Sequence, residues 1–226
     1  MQEQVFGTIQ WGLRSDHDNT FESYVWLQID NKQFYLMYDS KTRGRLGILG
    51  YIEQMLGLQF NNITHLDLAV DASINFSKAL VKMIRNKDYY PIVNGKKITD
   101  RKQLIEDILY IGIGNLERIK EYSILIQQKK NDVSLNAYNK KREIKNNSYK
   151  DYIMESYGNP SQLHRLEVRI NSDAMKDFLS REHIDYNPAI FITSEWLWLF
   201  YLTFLNRVIR FQSTKGKKVY SVMDLI

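Results

Sequence analysis

Three stretches of the chain alternate strictly between apolar and polar positions. In residues 133–143 (VSLNAYNKKRE), Val133, Leu135 and Ala137 alternate with Ser134, Asn136 and Tyr138. In residues 163–171 (LHRLEVRIN), Leu166, Val168 and Ile170 alternate with Arg165, Glu167 and Arg169. In residues 64–71 (THLDLAVD), Leu66, Leu68 and Val70 alternate with His65, Asp67 and Asp71. A period of two is that of a strand with one buried face. If the three strands share a sheet, its polar face gathers a tyrosine, carboxylates and cations.

Other segments follow helical or turn patterns. Phe76, Ala79, Leu80 and Met83 predict a helix over 75–86, with Ser73 or Asn75 as its cap. Two β-runs, 21–30 and 33–39, joined by Asn31-Lys32 predict a hairpin, and a helix over 49–58 ends at Gly57. Tyr90-Pro91 to Gly95 predicts a turn between short strands, followed by a helix over 100–107, a β-rich ILYIGIG and a strand in YSILIQ. A short helix over 149–157 closes at Gly158-Asn159-Pro160, a helix covers 172–181, and Ser194 and Glu195 open a long helix to about residue 211. The tail, GKKVYSVMDLI, suggests a last strand, whereas residues 1–20 carry only weak signals.

Strand pairs interspersed with helices, without regular alternation, predict an α+β fold with a mainly antiparallel sheet and helices packed on one face. THLDLAVD and LHRLEVRIN, each followed by a helix, look like one strand–helix unit used twice. No linker is visible, so 1–226 is expected to be one domain with its motif-bearing core at about 63–180.

Composition narrows this picture only modestly. With 226 residues the chain can bury a substantial core, and its absence of cysteine excludes disulfides and thiolate metal sites and fits a reducing cytoplasm. The most apolar stretch, Trp196 to Leu205, is about ten residues and too short to span a bilayer, so no membrane is expected. The net charge of +5 is compatible with nucleic acid. Lys129, Lys130, Lys140, Lys141, Arg142, Lys145 and Lys150 face only Asp132 and Glu143 within one segment, and the chain has fifteen tyrosines, many beside basic residues. Bases interleaved with aromatics suit a strand of DNA or RNA, and equally a solvated basic face. TRGRLGILG lacks the Gly-Lys-Ser/Thr of a phosphate loop.

The polar face carries the candidate chemistry. A tyrosine that cleaves a phosphodiester needs its phenol in line with phosphorus, and cations to offset charge on the non-bridging oxygens. Asp67 and Glu167 occupy central outward positions of two strands and suit Mg²⁺ or Mn²⁺ as hard oxygen ligands. They would equally serve as cross-strand partners of Arg165, Arg169 or Lys140. Lys140 and Lys141 stand just beyond Tyr138, and no His-x-His pair exists.

DLAVD, YIGIG, the run Tyr138-Asn139-Lys140-Lys141-x-Glu143 and RLEVRI follow one another in an order that resembles the Rep-trans-type rolling-circle replication initiators and relaxases of plasmids, phages and integrative elements. The resemblance covers roughly 63–180. It implies a replication initiation protein: a metal-dependent endonuclease that nicks one DNA strand and leaves its tyrosine on the 5′ phosphate. Carried over by position, Tyr138 is the nucleophile, with Lys140 beside it in the catalytic pair. Asp67, Glu167 and Glu143 are the ligands of Mg²⁺ or Mn²⁺, and Lys141, Arg142, Arg165 and Arg169 contact DNA. Implied partners are single-stranded or hairpin origin DNA, a second copy of the chain as homodimer, and a host helicase. YIGIGN departs from the family in lacking the expected serine- and arginine-containing continuation, and no separate helix-turn-helix domain is expected within these residues. The competing expectation is a non-catalytic DNA- or RNA-binding or phage structural protein with the same fold.

Overall fold

Alternating patterns become strands here because each buries its apolar half against helices. The computed structural model describes residues 7–14, 22–29, 32, 53–57, 63–110, 123–127, 132–185 and 194–226. The chain divides into two compact units, Met1–Phe60 and Asn61–Ile226.

In the first unit, β1 (Gly7–Arg14) pairs antiparallel with β2 (Glu22–Ile29), Gly7 opposite Ile29 and Arg14 opposite Glu22. The first β-run of the expected hairpin is therefore a strand, but its partner here is the weakly signalled segment upstream. The second run, 33–39, and TRGRLGILG lie outside the described residues. Residues 53–56 are helical, within the predicted helix.

The second unit is α+β. Its larger sheet has five strands: β3 (His65–Ala72), β6 (Leu109–Tyr110), β7 (Ser123–Gln127), β8 (Val133–Asn139) and β9 (His164–Asn171). Their spatial order is β3-β9-β8-β7-β6, all antiparallel. A smaller antiparallel sheet holds β4 (Tyr89–Val93), β5 (Lys96–Lys97), β10 (Ile209–Ser213) and β11 (Val219–Tyr220) in the order β11-β10-β4-β5. Asn94 and Gly95 both have positive φ, as a two-residue hairpin turn between β4 and β5 requires. Of the YIGIG motif only Tyr110 is described.

The helices are α1 (Phe76–Arg85), α2 (Arg101–Ile108), α3 (Lys140–Glu143) running into a π-helical turn (Ile144–Ser148), α4 (Asp151–Ser156), α5 (Ser172–Arg181) and α6 (Ser194–Val208). Three strands of the larger sheet run into helices capped the same way. Asn75, Asn139 and Asn171 each accept, through Oδ1, the backbone N–H three residues on. The strand–helix unit read twice in the sequence thus occurs three times.

Leu135, Ala137, Leu166, Val168 and Ile170 are fully buried and share one core with Phe76, Leu80 and Ile84 of α1 and Phe200, Phe204 and Leu205 of α6. The opposite face of the sheet keeps the polar half of the alternation. One prediction is corrected: the last long helix ends at Val208, not near 211. Ile209 and Phe211 are buried and Arg210 exposed, a period of two that pairs with β4. Among the described residues no helix is long and apolar enough to cross a membrane.

Candidate functional site

Two cross-strand rows build the site. Asp71, Arg165 and Tyr138 stand opposite one another on β3, β9 and β8. Four residues along, Asp67 and Arg169 face Ser134. Glu167 lies between the rows, opposite Ala69 and Asn136. All of these side chains leave the same face, because strand alternation fixes their parity.

Arg165 grips Asp71 with two parallel bonds, Nε to Oδ1 at 2.7 Å and Nη2 to Oδ2 at 2.6 Å. Its Nη1 lies 3.8 Å from Glu167 Oε2. The Tyr138 hydroxyl reaches diagonally across the strands and donates to that same Oε2 at 3.2 Å. Burial, and then the negative charge of Glu167, hold the Tyr138 phenol well above its ordinary pKa of 10.0; Arg165 pulls the other way and does not prevail. A phenol in this setting is a neutral hydrogen-bond donor whose proton already points at a carboxylate.

Lys140 shares the parity of Tyr138 and is enclosed on that face. Asn139 ends β8 and caps α3, so Lys140 opens the helix with its side chain 5% exposed. Its ammonium donates to Glu143 Oε2 at 2.6 Å and lies 5.8 Å from the Tyr138 ring centre. Burial lowers the Lys140 pKa, and the bond to Glu143 opposes that shift. Lys141 points elsewhere, donating to the carbonyls of Pro160 and Ser161 at 3.1 and 3.2 Å. Arg142 is exposed, and Arg169 clasps Asp67 through Nε and Nη2 at 2.8 and 2.7 Å.

The structure therefore brings together Tyr138, Lys140, Glu143, Arg165 and Glu167. It adds Asp71, a polar position of the same alternation as Asp67, and sets Asp67 with Arg169 apart at the more exposed end. The signal for Asp71 was its parity with Asp67, but only the strand order reveals that it faces Arg165. His164 is buried on the other face, as alternation required.

A divalent ion has limited access to these carboxylates. Among the described residues no three His, Asp or Glu side chains are grouped so as to hold a metal ion. Asp67 and Glu143 are each tied to a cation at 2.7 and 2.6 Å. Glu167 has the looser partners. Mg²⁺ commonly enters on substrate phosphates with one or two protein carboxylates, and Glu167 is the side chain here that fits such an ion.

Comparison with known protein families, with curated proteins and with solved structures finds no match.

Proposed function

We propose that this chain cleaves one strand of DNA through Tyr138, as a replication initiation protein or relaxase of a mobile element does at its origin. The observation that carries the reading is the hydrogen bond from Tyr138 to Glu167 with Arg165 beside both. Glu167 is the general base: it takes the phenolic proton as Oη attacks phosphorus. The bond from phosphorus to the 3′ oxygen breaks, that oxygen takes a proton from water, and Tyr138 is left joined to the 5′ phosphate. Arg165 offsets charge on the non-bridging oxygens, with Arg169 along the same face. Mg²⁺ or Mn²⁺ held by Glu167 would withdraw further charge from those oxygens. Lys140 positions the Tyr138 ring.

The test incubates supercoiled DNA carrying the element's own flanking sequence with the wild type, Tyr138→Phe and Glu167→Gln, each with and without Mn²⁺. Nicking by the wild type, with protein trapped on the 5′ end and lost in Tyr138→Phe, is the expected result. Glu167→Gln is expected to fall by about 100-fold or more, the scale of a lost general base. Equal nicking by wild type and Tyr138→Phe would move the nucleophile elsewhere.

A second reading, non-catalytic nucleic-acid binding, draws on the raised Tyr138 pKa and on the cations already paired with Asp67, Asp71 and Glu143. It is the outcome if all three proteins bind DNA and none cuts it.

A further inference from the structure

Helix α1 buries one side against the apolar face of the larger sheet, where Ser77 Oγ donates to the Ala137 carbonyl at 2.8 Å. The exposed positions of this helix are Lys78, Lys82 and Arg85, and all three are cations. They fall at i, i+4 and i+7, one above another, where like charges repel. Lys78 also stands in the first turn, where the helix dipole disfavours a positive charge and no acidic side chain compensates. None of the ion pairs among the described residues uses them.

The stripe continues into the smaller sheet. Lys87 and Asp88 follow α1, and the Asp88 carbonyl accepts both the N–H and the hydroxyl of Thr214 at 2.9 and 3.1 Å. That pair of bonds fastens the exposed β10–β11 turn, carrying Lys215, Lys217 and Lys218, to the end of the helix. From its other side the connection is held by Arg101, whose guanidinium donates to the carbonyls of Asn86 and Tyr89 at 2.6 and 2.7 Å. The Tyr89 and Tyr220 rings meet edge to face at 5.5 Å, and the Lys218 ammonium sits 4.8 Å over Tyr220. Asp88 is the single carboxylate in this run from Lys82 to Asp88 and Thr214 to Tyr220.

We infer that this stripe, from α1 to the β10–β11 turn, is a second nucleic-acid surface that takes the phosphate backbone of DNA. It lies on the helical side of the larger sheet, away from Tyr138. A polyanion relieves the repulsion that the bare helix carries, and the turn is fixed in advance, so little ordering is required on binding. The inference rests on the DNA reading above but not on cleavage.

The test measures fluorescence anisotropy of a labelled single-stranded oligonucleotide across a KCl series with the full chain. The proteins are wild type, Tyr138→Phe and a variant combining Lys82→Gln, Lys215→Gln, Lys217→Gln and Lys218→Gln. Each lysine in contact contributes about 0.7 to the slope of log affinity against log salt. The expected slope therefore falls by about 2 to 3 in the combined variant, while Tyr138→Phe removes the adduct and no cation. Because the four side chains are exposed, the variant's melting temperature should be unchanged or higher. A second variant, Lys78→Gln with Arg85→Gln, repeats the test should the first not fold. A slope equal to that of the wild type in the neutralised proteins overturns the stripe and leaves cleavage standing. Loss of slope supports the stripe whatever the nicking assay returns for Tyr138.

Discussion

Asp71–Arg165 and Asp67–Arg169 are the same interaction made twice on the same two strands. Both are two-bond clasps with nitrogen–oxygen distances between 2.6 and 2.8 Å. Their surroundings differ. The first pair's side chains are 14% and 3% exposed for arginine and aspartate, the second pair's 53% and 41%. Equal geometry therefore does not imply equal consequence. In the exposed pair, water competes with the bond and replaces it when it breaks. In the buried pair nothing replaces it, so the two charges depend on each other.

The largest expected effect comes from separating the buried partners. Arg165→Ala should destabilise the protein by about 3–5 kcal/mol, because the Asp71 carboxylate is left enclosed without a cation. Urea denaturation would register this as a lower midpoint at unchanged slope. Replacing both partners, Asp71→Leu with Arg165→Met, should recover most of the loss; a double variant as unstable as the single one would mean that the pair is not the cause.

A middle-sized effect concerns the phenols near the buried row. Burial raises the pKa of Tyr138, and of Tyr201, whose hydroxyl donates to the Leu166 carbonyl at 3.2 Å. The folded chain thus keeps protons that the unfolded chain releases near the ordinary value of 10.0. Their contribution to stability is complete below about pH 10 and is lost as pH rises beyond it. Phenolate absorbance should show these two tyrosines titrating after the exposed ones, and Tyr138→Phe should soften the alkaline loss of stability. Titration of all tyrosines in a single step near pH 10 would contradict their enclosure.

The smallest effect belongs to the exposed clasp. Arg169→Ala should cost less than about 1 kcal/mol, and less again in high salt. A cost matching that of Arg165→Ala would erase the distinction on which the comparison rests.

Much of this arrangement was legible in the sequence, and the reason is physical. Strict alternation fixed which side chains of β3, β8 and β9 share a face, so Tyr138, Asp67, Arg165, Glu167 and Arg169 were rightly grouped. Alternation carries no information on strand order, and so Asp71 could not be matched to Arg165. It also lapses where a strand ends: beyond the Asn139 cap, Lys140 is enclosed, Lys141 reaches the Pro160 and Ser161 carbonyls and Arg142 is exposed. β1 escaped notice because Gly7 and Gly12, with Gln10 between, weaken its pattern. α6 was read too long because apolar residues recur beyond Asn206-Arg207, at Val208, Ile209 and Phe211, and only pairing with β4 marks the change to a strand.

The Asp71–Arg165 clasp joins residues 94 apart in the chain, whereas Tyr138 and Glu167 are 29 apart. Closing the longer loop is a little more than three times the span, and at about 0.6 kcal/mol for each doubling it costs about 1 kcal/mol more in chain entropy. β7, β8 and β9 are neighbours in sequence and in space, but β3 must return across this long interval to reach the open side of β9. The distant pairing dominates the sheet's contact order, the quantity with which folding slows across small proteins. Both aspartates of the polar face arrive on that returning strand, so completion of the face is tied to the entropically most demanding contact in the sheet.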